Sequence, residues 1–236
     1  VREPPDLSII VFAYNEAQNI GPVLSELRGW LSAHEPTAEI LFVDDGSSDA
    51  SSAEAARALE GMPHQLLRHA SNRGIGAAIK TGTAAARAPW VTFLPADGQI
   101  EPAAIGTLRS AATATGAQVV FSIYSDRDDG LDRKLLSWGV RALVRGVHGV
   151  DLESDGPYLF RRELFSPAEL PSDSFFLNFE FPIRVLAARR PTEIVTIHCR
   201  PRRSGQSKSA RVGTALRVAR ELLAFRVRRT REQLGV

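Results

Sequence analysis

The sequence predicts an α/β protein: a mainly parallel sheet covered by helices on both faces. Three observations carry this. Short apolar, β-branched runs alternate with segments whose apolar residues recur at helical spacing. The strand-like runs are apolar at nearly every position, as strands buried on both faces are. Each of the first four runs ends in a polar loop and is followed by a helical segment, the connection that parallel strands require.

In chain order, residues 7–13 read as a buried strand and Asn15 as a cap for the next helix. In that helix Ile20, Val23, Leu24, Leu27 and Leu31 form one apolar stripe. A second strand over 39–43 ends at Asp44-Asp45-Gly46-Ser47-Ser48-Asp49, a run rich in turn and cap residues. Asp49 and Ser47 read as caps there, and an alanine-rich helix follows to about Glu60. Residues 65–69 make a weak third strand, 74–86 are helical in their second half, and 90–94 make a fourth strand that ends at Pro95-Ala96-Asp97-Gly98-Gln99. A helix over 102–114 has Pro102 in its first turn, and 118–124 is a further strand. Beyond Ser125 the regularity fades: 126–133 is charged and loop-like, 134–144 helical, 158–160 and 193–198 strand-like. Residues 211–233 form a basic helix with Val212, Leu216, Ala219, Leu222 and Leu223 on one side.

Composition bounds the function classes. A chain of 236 residues suits one large domain or two small ones, and 44% hydrophobic with 24% charged residues is ordinary for a globular protein. The formal charge is only +2, but it is uneven: carboxylates cluster at Asp44, Asp45 and Asp49, while basic residues crowd the stretch from Arg200 to Arg231. Cys199 is the only cysteine, which excludes an internal disulfide and points to a reducing compartment, the cytoplasm. On a strand, His198 and Cys199 face opposite ways, which argues against a thiol nucleophile. There is no apolar run of transmembrane length, and Val1-Arg2-Glu3-Pro4-Pro5 lacks the pattern of a signal peptide, so the expectation is a soluble or peripheral protein. The basic helix predicts either a peripheral position at the cytoplasmic face of a membrane or docking on the domain or on a second copy of the chain. Serine-hydrolase, structural-zinc and nucleic-acid-binding signatures are absent.

In an open parallel sheet, ligands bind outside the carboxyl ends of the strands. The residues that follow the first four strands are Tyr14-Asn15-Glu16, Asp44-Asp45, Asn72 to Gly76, and Asp97 with Gln99. Four polar and partly acidic loops from separated parts of the chain suggest one crevice. Carboxylates alone repel phosphate, whereas Mg²⁺ or Mn²⁺ takes oxygen ligands from one or two carboxylates and shares the oxygens of a diphosphate. Carboxylates also accept hydrogen bonds from ribose hydroxyls and base N–H groups. A set of helix caps is the competing explanation, and it accounts less well for the adjacent Asp44-Asp45, since only one of the two can cap.

Several of these segments resemble the signatures of family 2 glycosyltransferases, in particular the dolichol- and polyprenyl-phosphate sugar transferases. Residues 8–16 (SIIVFAYNE) look like the opening strand, 42–49 (FVDDGSSD) like the second signature, and Asn72-Arg73-Gly74-Ile75-Gly76-Ala77-Ala78 with Lys80 and Gly82 like the third. Pro95-Ala96-Asp97-Gly98-Gln99 stands where that family carries its aspartate-x-aspartate metal motif, and residues 202–208 (RRSGQSK) resemble its late arginine-glycine-serine-lysine signature. The five stand in the family's order from about residue 7 to 209.

The resemblance implies a GT-A fold over residues 1–209, with a nucleotide-sugar half (1–124), an acceptor half (125–209) and a basic amphipathic helix at 210–236. It implies inverting transfer from a nucleoside-diphosphate sugar, most readily to a polyprenyl phosphate. Donor contacts fall to Ala13, Tyr14, Glu16, Asp44, Asp45, Asn72, Gly76, Lys80, Ala96 and Asp97. The cation, Mg²⁺ or Mn²⁺, falls to Asp97 and Gln99. Arg202, Lys208 and Asp155 are assigned to phosphate and acceptor, and Asp97 and Glu180 to catalysis. The implied partners are the sugar nucleotide, a lipid phosphate or small-molecule acceptor, a membrane surface, and a second copy of the chain. Two departures stand out: Pro95 replaces the first aspartate of the metal motif, and either Asp151 or Asp155 matches an aspartate that precedes a glycine-aromatic pair. Three other readings remain: transfer to a hydroxyl of a soluble molecule, a non-catalytic sugar-nucleotide binder, and a nicotinamide-dependent oxidoreductase on the strength of Gly74-Ile75-Gly76, which lacks the third glycine of that fingerprint.

Overall fold

A computed structural model describes residues 4–35, 37–125, 131–201 and 212–234. Its strands are β1 (Leu7–Ala13), β2 (Glu39–Asp44), β3 (His64–Arg68), β4 (Trp90–Pro95), β5 (Val119–Tyr124), β6 (Leu159–Arg161) and β7 (Thr192–Ile197). They form one seven-stranded sheet in the order β3-β2-β1-β4-β6-β5-β7. The helices are α1 (Ala17–His34), α2 (Ser51–Ala58), α3 (Ile75–Ala85), α4 (Ala103–Thr115), α5 (Leu131–His148), α6 (Leu177–Ala187) and α7 (Val212–Leu234).

The apolar runs are buried on both faces because successive residues serve different cores. Ile9 and Val11 of β1 pack with α1, α2 and α4, around Leu24, Ala55 and Ile105. Ile10 of the same strand packs with α3 and α6, around Ala78 and Phe181. A third cluster joins α5, α6 and α7 through Val144, Ile183, Val218, Leu222 and Phe225. All pairings are parallel except those of β6, which runs antiparallel to both β4 and β5. A three-residue strand carries no sequence mark of its direction.

β2 and β3 extend the sheet on one side of β1, and β4 pairs with its other side. The strand order therefore reverses between β1 and β4, and a crevice opens outside their carboxyl ends. The loops carrying Tyr14-Asn15-Glu16 and Ala96-Asp97 border it.

Several local expectations are corrected. Asn15 does not cap α1; it sits at φ 54°, and Glu16 takes the cap position with no side-chain cap bond. α3 begins at Ile75, directly after Gly74 at φ 99°, not in the second half of 74–86. α5 begins earlier than expected, at Leu131. The apolar side of α7 is also different: Val218, Leu222 and Phe225 are buried, while Leu223 is 54% exposed. The buried side is docked on the domain and is not a free amphipathic stripe; the side chains of Val212 and Leu216 lie outside those described.

Candidate functional site

The loops after β1 and β2 are ordered by each other. Asn15 N donates to Ser47 Oγ (2.9 Å), and Asn15 Oδ1 accepts from Ser48 N (2.8 Å). The amides at the start of α1, which have no partner within the helix, are capped from the segment that follows β2. Glu16 N donates to Ser51 Oγ (3.0 Å) and Ala17 N to Asp49 Oδ2 (3.1 Å). The other oxygen of Asp49 accepts from Ser51 N, the first amide of α2 (3.0 Å), so its capping role serves two helices. Tyr14 and Glu16 are half-buried at this edge.

The adjacent carboxylates have different work. Asp44 is 1% exposed; it accepts from Ser47 N (2.8 Å) and Ser52 Oγ, and Arg68 Nε lies 3.5 Å away. Burial alone would push its carboxyl up, but the hydrogen bonds from Ser47 and Ser52 and the Arg68 charge outweigh it and hold Asp44 below the usual carboxylate range. Asp45 N donates to Ala13 O (2.9 Å), which ties β2 to the end of β1. Its Oδ1 accepts from His69 Nδ1 (2.7 Å) and Arg73 N (2.9 Å), and its Oδ2 from Gly74 N (2.8 Å). A carboxylate only accepts, so His69 Nδ1 carries a proton; in the neutral ring Nε2 then accepts from Thr81 Oγ1, 2.9 Å away. Asp45 thus holds the turn that opens α3.

That turn is packed on protein. A Cβ on Gly76 would lie 2.5 Å from Ser174 O and 2.7 Å from Asp173 C, so glycine is required by the 173–174 backbone. Ala77 N donates to Asp173 O (3.0 Å). Lys80, expected at the donor, directs Nζ to Leu170 O (3.0 Å) and to the Asp173 carboxylate, so its charge is spent on the 170–173 segment. Asn72 is exposed at the tip of the turn.

Ala96 and Asp97 sit at the switch point. Ala96 N donates to Phe12 O (3.0 Å), and Asp97, 6% exposed, accepts from Gln99 N through Oδ1 (3.1 Å). Gln99 is tied to the exit of β7: Arg200 N donates to Gln99 O (2.8 Å), and Gln99 Nε2 donates to Arg200 O (3.4 Å). Arg200 in turn bonds Glu101 Oε1 through Nε (2.5 Å) and Glu26 Oε1 through Nη1 (2.8 Å). The Arg200 hydrogen bond holds the Glu101 carboxyl below its usual range. Among the described residues no group of three or more His, Cys, Asp and Glu side chains could hold a metal. The Asp97 carboxylate at the crevice fits as one ligand of a divalent cation that draws its other ligands from a diphosphate and water, whereas the Gln99 amide is turned toward Cys199 and Arg200.

On the acceptor side, Asp155 accepts from Arg141 of α5 through both oxygens (3.0 and 2.9 Å), and its amide donates to Ser122 O (2.9 Å). Asp151 is exposed. Glu180, in the first turn of α6, is 0% exposed; it accepts from Ser172 N (3.2 Å) and faces Arg228 of α7 (3.4 Å). Burial pushes its carboxyl above the usual range, against the opposing pull of Ser172 and Arg228. Arg202 and Lys208 lie outside the described residues.

Sequence reasoning passed over His69, Thr81, Asp173 and Arg200. His69 and Arg200 do follow strand ends, which was a usable signal. Thr81 and Asp173 reach the site through packing of elements far apart in sequence.

The doubly wound sheet, with its acid-bearing loops at the β1/β4 switch point, is a GT-A fold. The chain belongs to Glycosyl transferase family 2, whose family model matches residues 8–179. It is 26% identical over 93% of its length to the dodecaprenyl-phosphate galacturonate synthase of Rhizobium johnstonii, covering 66% of that protein. It is 28% identical over 70% of its length to a dolichol-phosphate mannosyltransferase of Mycosarcoma maydis, covering 60% of it. The chain thus spans only about two-thirds of these relatives or less. Its fold matches that of glucosyl-3-phosphoglycerate synthase from Mycobacterium tuberculosis, crystallised with Mn²⁺, UDP-glucose and phosphoglyceric acid (TM-score 0.72, 21% identity, 94% of this chain and 80% of that one). It also matches mannosyl-3-phosphoglycerate synthase from Rubrobacter xylanophilus (TM-score 0.72, 19% identity, 98% and 75%).

Proposed function

We propose that this protein is an inverting glycosyltransferase that moves a sugar from a nucleoside-diphosphate sugar to a polyprenyl phosphate. The observation that carries the reading is the juxtaposition of the Ala13–Glu16, Asp44–Asp45 and Asp97–Gln99 loops at one topological switch point, in a chain whose family relatives are named for polyprenyl-phosphate acceptors.

The donor nucleoside lies against Ala13, Tyr14, Glu16 and the Asp44–Asp45 loop, with Asn72 at its rim. Asp97 and Gln99 would be the residues to hold a divalent cation, Mg²⁺ or Mn²⁺, beside the donor diphosphate. A cation held there would supply charge neutralisation for the departing nucleoside diphosphate. Asp45, through Arg73 N and Gly74 N, keeps the turn at the third strand end in one shape, so little reorganisation is needed as charge develops. Arg202 and Lys208 contact phosphate.

An acceptor phosphate monoester has a second pKa of about 6 and is already nucleophilic at neutral pH. It needs no general base, which agrees with a Glu180 that has no exposed surface. A hydroxyl acceptor would need a carboxylate in reach. The test is transfer of radiolabelled sugar from a panel of UDP- and GDP-sugars to a short-chain prenyl phosphate and, separately, to soluble alcohols and sugars. Label in the organic phase, dependent on the acceptor phosphate, is the expected result. Transfer only to a hydroxyl, or only donor binding without turnover, would reject the reading.

A further inference from the structure

We infer that the outward face of α7, with Trp138 on the adjoining α5, is a docking surface for an anionic lipid bilayer. The inference takes its purpose from the lipid-phosphate reading above and its chemistry from the side chains themselves. One face of α7 is already used: Val218, Leu222 and Phe225 are buried against α5 and α6, and Arg228 reaches Glu180. The opposite face presents Leu223 and Val227, one turn apart and each 54% exposed, among exposed Arg217, Arg220, Arg226 and Arg231. Between Arg217 and Arg231 the one carboxylate is Glu221, and it is drawn inward by Ser174 Oγ, which donates to it at 3.0 Å. The outward surface of this stretch is therefore cationic and aliphatic among the described side chains. Trp138 is 71% exposed, more than any other large hydrophobic side chain among the described residues, and it stands on the helix that packs beside α7.

An aliphatic strip flanked by arginines, with an exposed indole on the adjoining helix, suits a helix that lies in the headgroup layer of an anionic membrane. A second copy of the chain suits it poorly. A two-fold interface would set this arginine-rich face against itself, and like charges across an interface are strongly unfavourable. The sequence stripe groups Leu222 with Leu223, and the structure separates them: Leu222 is buried and Leu223 lies on the docking face.

The test is flotation of the full chain with vesicles of mixed phosphatidylcholine and phosphatidylglycerol against vesicles of phosphatidylcholine alone. Binding is expected to the mixed vesicles, to weaken with added salt, and to fall by about fivefold for each arginine removed in Arg220→Gln and Arg226→Gln. Leu223→Ser with Val227→Ser should also weaken it, and a blue shift of tryptophan emission on binding should be lost in Trp138→Phe. Equal, salt-insensitive binding to both vesicles, no binding to either, or a dimer that dissolves in the Leu223→Ser, Val227→Ser variant would overturn the inference. Transfer to a short-chain prenyl phosphate without vesicles is measured in parallel. Transfer without vesicle binding removes the docking surface and keeps the proposed function; vesicle binding with no transfer to any prenyl phosphate does the reverse.

Discussion

Asp45 Oδ1 accepts a hydrogen bond from His69 Nδ1 at 2.7 Å, and both residues are almost completely buried. Through this bond the end of β2 is fastened to the residue that follows β3, and the same carboxylate fixes the two amides that lead into α3. The pair is the joint between the loops that follow β2 and β3.

His69→Phe should therefore loosen the Arg73–Gly74 turn as well as the pair. A hydrogen bond to a charged group contributes about 1.5–3 kcal/mol, which for a chain of this size is a fall in melting temperature of roughly 3–12 °C. Donor nucleotide affinity, read by calorimetry, should fall with it. Thr81→Val removes only a neutral bond and should cost about 0.5–1.5 kcal/mol. A His69→Phe protein that melts and binds nucleotide like the parent would show that the joint is not needed.

Asp97 supplies the carboxylate at the switch point. Asp97→Ala should lower kcat/KM by about 10²-fold or more, the range for losing one charge-stabilising group, with little change in melting temperature. Gln99→Ala should do less and be partly recovered by raised Mn²⁺. Pro95→Asp restores a carboxylate two residues before Asp97 and should tighten cation binding, measured by Mn²⁺ titration in the presence of nucleoside diphosphate. Unaltered cation affinity in Asp97→Ala would place the cation elsewhere.

Glu180 has a carboxyl raised by burial above its ordinary value of 4.5. The folded state therefore holds a proton that the unfolded state has released, and stability falls as pH rises from about 4.5 through the folded-state value. Glu180→Gln keeps an acceptor for Ser172 N while removing that dependence. The variant should gain on the parent in melting temperature as pH is raised through this window and should still transfer sugar to a lipid phosphate. Loss of turnover with intact folding would instead make Glu180 a base for a hydroxyl acceptor.

His148 titrates in the opposite direction. Burial lowers its pKa, with Arg229 and Arg226 adding to the effect, although its Nε2 bonds Leu222 O at 3.2 Å. Its Nδ1 is buried with no partner among the described residues. As pH falls below 6.5 the unfolded chain takes up a proton that the folded chain refuses, so stability declines until the folded-state value is reached. The slope is at most about 1.4 kcal/mol per pH unit. His148→Phe should flatten this part of the melting-temperature profile; a profile identical to the parent would show that the α5–α7 contact does not depend on the ring's charge.

Much of the fold was legible because its elements are written locally. The runs that became β1, β2 and β4 are apolar at successive positions, and a strand with both faces covered must be. The positions of Asp44, Asp45 and Asp97 at strand ends follow from the same reading, since a parallel sheet sends each strand's carboxyl end to the same edge. β6 was different: three residues cannot announce that they run antiparallel between two distant strands.

The amino-acid sequence by itself determined the class of sheet, the order of its loops and membership of a glycosyltransferase family, because these depend on periodicity and on motifs short enough to be contiguous. Tertiary structure alone decided how those residues are used. Lys80 meets Asp173, Gly76 meets the backbone at 173–174, Asp49 caps the start of a helix at Ala17, 32 residues before it, and α7 buries Phe225 while leaving Leu223 outside. Each of these joins segments separated along the chain. Their partners are set by which helix faces meet when the cores close, and a one-dimensional pattern specifies that a face is apolar without specifying what covers it.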